Sequence, residues 1–126
     1  MISDAIRTLL VNAATAAASR VYVDQVTESA ALPYVRITTL GGAAINTHDG
    51  PAGMREFSFQ VTAFASSGVA SRSLSEACRT ALNFYRGTVG GDVIQVIYAR
   101  SEPTTNFEPT PTVYATSIDY EAGYVG

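Results

Sequence analysis

The sequence predicts an α+β domain, with a mixed, largely antiparallel sheet of about five strands and two helices packed on it. Three observations carry that expectation. Two segments repeat apolar residues at three- and four-residue spacing, which marks a half-buried helix. Others alternate apolar and polar residues, which marks a strand with one face on a core. Glycine, proline and asparagine clusters punctuate these segments without leaving a linker between domains. The chain has 126 residues, enough for one domain over 1–126 and too few for two ordinary ones. The expected order is α-β-β-β-α-β-β.

The first helix starts near Ser3, read as its N-cap, with Asp4 at the positive end of the helix dipole. Ile2, Ile6, Leu9, Leu10, Ala13 and Ala17 form its apolar stripe, and the alanines from Ala13 to Ala18 favour its continuation. Arg20 to Val26 reads as a short strand and Thr27 to Leu32 as a connector. Pro33 opens a strand through Leu40, where its missing N–H does least harm, and Gly41-Gly42 is expected to stop it. Ala43 to Gly53 reads as a loop or a long hairpin tip.

Arg55 to Ala65 is the clearest strand. Phe57, Phe59, Val61 and Ala63 share one face; Glu56, Ser58, Gln60 and Thr62 share the other. After the turn at Ser66-Ser67-Gly68, a second helix is expected from about Val69 to Tyr85. Ala70, Leu74, Ala77, Cys78, Ala81, Leu82 and Tyr85 form its stripe, Arg72 pairs with Glu76, and Gly87 is its C′ residue. Val93 to Ala99 is the next strand. Glu102 to Thr112, with Pro103, Pro109 and Pro111, reads as a loop. Val113 to Tyr120 is the last strand, ended by Asp119, Glu121 and Gly123.

Charged residues make up only 15% of the chain, against about 25% in an ordinary domain. Either the surface is rich in small uncharged residues, or part of it is covered by other subunits, where charge is depleted. The formal charge of −3 argues against tight binding to nucleic-acid phosphates. All basic residues are arginine. Genomic base composition can produce that alone; forked, partly desolvated pairs at interfaces would also favour arginine over lysine.

Little in the sequence suggests chemistry. His48 and Cys78 are the only histidine and cysteine, too few with scattered acids for a metal site. Asp49 beside His48 invites a base-and-orienter reading, but no nucleophile is tied to the pair by spacing. Cys78 lies in an apolar stripe and is expected to be a small buried hydrophobe. Asp119 and Glu121 are expected to solvate an edge or meet an arginine across the sheet. Gly41-Gly42 and Gly90-Gly91 match neither phosphate-binding glycine pattern. No catalytic residue, cofactor or metal is expected. No apolar run is long enough to span a bilayer, and the N-terminus lacks the form of a signal peptide, so use without general secretion is expected.

Several segments together resemble phage tail-completion proteins. Arg20-Val21-Tyr22 followed by Ala31-Leu32-Pro33-Tyr34-Val35 is similar to their opening. Phe59-Gln60-Val61-Thr62-Ala63-Phe64-Ala65-Ser66 resembles their central strand and turn. Leu74-Ser75-Glu76-Ala77-Cys78-Arg79-Thr80-Ala81-Leu82 resembles their second helix, and Ala115-Thr116-Ser117-Ile118-Asp119-Tyr120 their closing strand. The similarity covers most of the chain in the right order; the proline-rich 102–112 stretch departs from it.

The resemblance implies a structural virion protein: a tail terminator that rings the head-proximal end of the tail tube, typically as a homo-hexamer. The ring would stop tube growth and present a surface to the head-completion or connector protein. Assembly would take place in the host cytoplasm. DNA would pass through without specific binding, which the acidic balance suits. A head-completion stopper or a tube or baseplate subunit is the alternative, and a small-molecule-binding module is a further one. Long loops in small domains are often functional, so segments 42–53 and 101–112 are the expected contact regions. Their candidate interface residues, with one just beyond, are Asn46, His48, Asp49, Arg55, Glu102, Asn106, Phe107 and Glu108.

Overall fold

The alternation in 55–65 becomes the central strand of a seven-stranded sheet in the computed structural model, which describes residues 2–13, 20–25, 32–47, 50–89, 91–109 and 112–125. The elements are α1 (Ile2–Asn12), β1 (Val21–Val23), β2 (Tyr34–Thr47), β3 (Gly50–Ala65), α2 (Gly68–Leu82), β4 (Gly87–Val89), β5 (Asp92–Ala99), β6 (Thr104–Pro109) and β7 (Thr112–Val125). The strand order is β1-β2-β3-β7-β5-β4. One half of β7 pairs with β5 and the other with β6, both antiparallel, so these two strands share one side of it. Only β1 and β2 run parallel among the paired strands. The α+β class and the mostly antiparallel sheet are as expected, with more strands than five.

Both helices bury their apolar sides on one face of this sheet. In β3, Phe57, Phe59, Val61 and Ala63 face the core, with Ile118, Tyr120 and Ala122 of β7 beside them. Phe59 stacks between Phe57 and Tyr120, at centroid distances of 5.5 and 5.4 Å. Ile6 and Leu10 of α1 and Leu74, Cys78 and Leu82 of α2 close the core from above. The buried row of α2 also includes Ser71 and Ser75, which the apolar stripe passed over, while Ala70 is exposed. The Ser71 hydroxyl is within hydrogen-bond distance of the Ala63 carbonyl (2.9 Å) and the Thr116 hydroxyl (2.7 Å). Thr116 in turn meets Thr105 at 3.0 Å. Buried hydroxyls with partners fit a core that isolated ones would destabilise.

Several boundaries differ from the sequence reading, each for a local reason. Ser3 is a buried residue inside α1, which begins at Ile2, so it does not cap the helix. The helix ends at Asn12, and exposed Ala13 lies in a turn; the remaining alanines to Ser19 lie outside the described residues. β1 stops at Val23 because Asp24 turns left-handed at φ 61°. Its carboxylate accepts from the Thr39 N–H and hydroxyl at 2.8 and 3.1 Å. Val26 and residues 27–31 of the connector lie outside the described residues.

Gly41-Gly42 does not end β2. The strand passes through them with a register shift between Thr39 and Gly41, and Gly41 takes φ +138°, which a glycine adopts freely. The hairpin-tip reading of 43–53 is therefore the one realised. Most of segment 102–112 is not a loop either: β6 is a strand against β7, with Pro103 just before it and Pro109 at its end, where missing N–H groups are tolerated, while Thr110 and Pro111 lie outside the described residues. β7 runs on to Val125 through Asp119, Glu121 and Gly123, because β3 and β5 pair with it on both sides there.

α2 ends at Leu82 rather than Tyr85. Its N-cap is Ser67, whose hydroxyl accepts from the Ala70 N–H at 3.1 Å, and its C-cap is Asn83. Gly87 is not its C′ residue but opens β4. Glu76 meets Arg79 at 3.7 Å, so the expected Arg72–Glu76 pair gives way to a neighbour one turn on. No helix among the described residues is long and apolar enough to cross a membrane.

Candidate assembly surface

The sheet face away from the helices carries the other half of each alternation, and the register sets these residues in rows. Thr38, Gln60 and Asp119 form one row across β2, β3 and β7. Arg36, Thr62, Ser117 and Thr104 form the next, and Tyr34, Phe64, Ala115 and Asn106 the third. A cleft of about 580 Å³ lies over these rows, lined also by Ser101. Gln60 donates from Nε2 to the Asp119 carboxylate at 3.0 Å, and the Thr62 and Ser117 hydroxyls are 3.1 Å apart. The Ser101 hydroxyl accepts from the Asp119 N–H at 2.9 Å. The cleft thus holds a cation, a carboxylate, an amide and several hydroxyls on a rigid sheet.

Two atoms here are left without partners. Arg36 Nε and Thr38 Oγ1 are buried, and neither makes a hydrogen bond. The Arg36 guanidinium lies 5.3 Å from the centroid of the Phe64 ring, which stacks on Tyr34 at 4.6 Å. An unmet buried donor costs roughly 1–3 kcal/mol, so this face has polar demand that the chain does not itself meet. Beyond the cleft, Glu121 pairs with Arg100 at 3.1 Å, the cross-sheet arginine expected for this acidic strand segment.

The expected interface residues are spread over two hairpins rather than gathered at one point. Asn46 stands on β2 opposite Pro51, and Arg55 is exposed on β3 between Ala44 and Tyr124. His48 and Asp49 lie outside the described residues. Glu102 is exposed ahead of β6, Asn106 is exposed and lines the cleft, and Phe107 and Glu108 occupy β6 opposite Tyr114 and Val113. Sequence reading missed Arg36, Gln60, Ser117 and Asp119 as a group. The alternation of β3 assigned Gln60 to this face, but the register that brings the others to it has no local signal.

The β2–β3 hairpin extends beyond the strand next to it. Among the described residues β7 pairs with β3 only from Met54 onward, so 45–47 and 50–53 belong to a ribbon with no third strand alongside among those residues. Two-stranded ribbons are marginal in water by themselves.

Among the described residues, the titratable groups give no nucleophile or metal centre. Among the described residues no three His, Cys, Asp or Glu side chains come together as metal ligands. Cys78 is fully buried, and desolvation pushes its thiol up to about 12, away from the reactive thiolate. Burial also raises Tyr120, with smaller contributions from nearby charges.

The family model described as tail completion protein gp17 matches residues 3–124. Among solved structures, a chain of the virion of a native gene transfer agent particle superposes with a TM-score of 0.69 at 13% identity. The match covers 100% of this chain and 89% of that one. A second solved chain, with no function in its name, gives a TM-score of 0.56 at 21% identity, covering 96% of this chain and 92% of the other. At these identities the two structures share the fold. No curated protein matches.

Proposed function

This chain belongs to the tail completion protein gp17 family, a family of structural phage tail proteins, and on that premise we propose that it is a tail terminator. Copies form a closed ring, most simply a homo-hexamer, on the head-proximal end of the tail tube in the virion. The ring stops tube polymerisation and offers its other side to the head-completion or connector protein.

The observation that carries this reading is the β2–β3 ribbon. It extends past the last β3–β7 pair, Met54 with Val125, and no third strand lies beside it among the described residues. A ribbon of this kind gains stability by lying on a neighbour. Arg55 stands at its base, where β7 joins the pairing. The β6–β7 hairpin, with Asn106 beside the cleft, supplies a second contact region. A ring with different top and bottom surfaces can accept the tube on one side and refuse further tube subunits on the other. The excess of acidic over basic residues, 11 against 8, suits a channel that DNA crosses without sticking.

Light scattering after size-exclusion chromatography tests ring closure. The expected result is a discrete particle of about six copies. A strict monomer that instead binds a metabolite would return the small-molecule module to consideration.

A further inference from the structure

Phe84 is poorly explained by the isolated chain. It follows the C-cap of α2 with φ 64°, and its side chain is 74% exposed. Left-handed backbone suits glycine, and a residue bearing a Cβ meets steric crowding there. Asp24, also left-handed, compensates through its carboxylate bonds to Thr39. A phenyl ring has no such means, and here it also exposes a large apolar surface. Its backbone is nonetheless fixed: the Phe84 N–H donates to the Ile97 carbonyl at 2.5 Å, and the Ile97 N–H donates to the Tyr85 carbonyl at 3.2 Å. Strain held in place by surrounding structure is a sign of use. A rigid, exposed aromatic is the side chain type that anchors interfaces.

A seat of matching chemistry lies elsewhere on the same chain. In the outer-face cleft, Arg36 covers Phe64 on one side and keeps a buried Nε without an acceptor. A guanidinium can take an aromatic ring on each of its planes. Beside Phe84, the end of α2 is closed by its own chain, with the Asn83 N–H donating to the Arg79 carbonyl and the Tyr85 N–H to the Leu82 carbonyl, so the ring is what this corner offers to a neighbour. The knob therefore carries an exposed aromatic ring, and the cleft carries a cation over an aromatic floor.

We infer that Phe84 of one copy seats against Arg36 and Phe64 in the cleft of the next copy. The two surfaces are different: the knob sits at the β5 margin of the sheet, and the cleft spans β2, β3, β7 and β6. Contact between unlike surfaces is head-to-tail, the type that closes rings. This inference rests on the ring reading and supplies its subunit contact.

Sedimentation velocity over a concentration series tests it on the full chain, comparing the natural protein with Phe84→Asn, Arg36→Gln and the double variant. Asparagine tolerates left-handed backbone, and Phe84→Gly is the second choice at that site. Compared at a concentration where all are monomeric, because assembly itself raises the melting temperature, the Phe84 variants are expected to melt no lower than the natural protein. Each single substitution weakens self-association by at least about tenfold. The double variant is little worse than either single one, as for residues that meet across one contact. Additive losses would place the seat elsewhere and overturn the inference. So would unchanged assembly in Phe84→Asn, or loss of tube binding with the ring intact. A clear fall in the monomer's melting temperature in both Phe84 variants would make Phe84 a folding residue and also overturn it. A natural protein that is monomeric at every concentration and on the tube would instead bring down the ring reading itself.

Discussion

The two faces of β3 and β7 are built from alternate residues of the same strands, yet they differ in what they leave undone. On the helix side Phe59, Val61, Ile118 and Tyr120 are fully or almost fully buried, and the hydroxyls of Ser71, Thr116 and Thr105 meet one another. On the far side, Gln60, Asp119, Thr62 and Ser117 bond among themselves, but Arg36 Nε and Thr38 Oγ1 find nothing. The comparison separates folding from assembly. Among the described residues the inner face nearly closes upon itself, with the Tyr120 hydroxyl as its unmatched side-chain atom. The outer face leaves Arg36 Nε and Thr38 Oγ1 unmet and carries an open cleft.

Substitutions that respect this division test it. Phe59→Ala, deep between Phe57 and Tyr120, is expected to lose about 3–5 kcal/mol in chemical denaturation. Ser71→Ala removes one buried hydroxyl from the Ala63 and Thr116 contacts and is expected to lose about 1–3 kcal/mol. A cost near zero would mean that the hydroxyl chain contributes little to the closed face.

The pH dependence probes the same core. Cys78 is raised from its ordinary value of 9.0 to about 12 by desolvation, so the folded state retains its proton when the unfolded chain gives it up. Stability from this group is complete below about pH 9 and falls as pH rises from there toward 12. Tyr120 acts in the same direction at still higher pH. Denaturant midpoints measured on the alkaline side should fall, and Cys78→Ser should flatten part of that fall. Thiol labelling of the folded protein should be slow until it unfolds. The smallest effect belongs to the outer face: Gln60→Ala breaks one half-buried bond to Asp119 and should cost under about 1.5 kcal/mol of monomer stability. An effect as large as that of Phe59→Ala would erase the distinction between the faces.

The same division governs what the sequence reveals. Period-two alternation in 55–65 marks both faces of β3 correctly, and the apolar residues Leu74, Cys78 and Leu82 place α2 on the core. Local signals fail where tertiary pairing overrides them. Gly41-Gly42 reads as a stop, but β3 continues beside it and carries β2 onward. Pro103 and Pro109 read as loop markers, but both sit at the limits of β6, where β7 supplies the pairing. Gly87 reads as a helix terminator, while Phe84 takes the left-handed turn. The cleft was the least legible feature. Arg36 stands between Val35 and Ile37 as an ordinary strand residue, and only the register of three strands brings it beside Thr62 and Ser117. The expectation that Asn46, Arg55 and Asn106 make contacts rests on segment length rather than on this geometry.

The central claim concerns the end of the tail tube. Electron microscopy of tails assembled in infected cells lacking this protein measures it directly through the distribution of tube lengths. The terminator account predicts tubes that grow well past the normal length and carry no heads, with normal length restored when the protein is supplied. Tails of normal length lying beside unjoined, filled heads would contradict it and assign the chain to the head-completion stopper role.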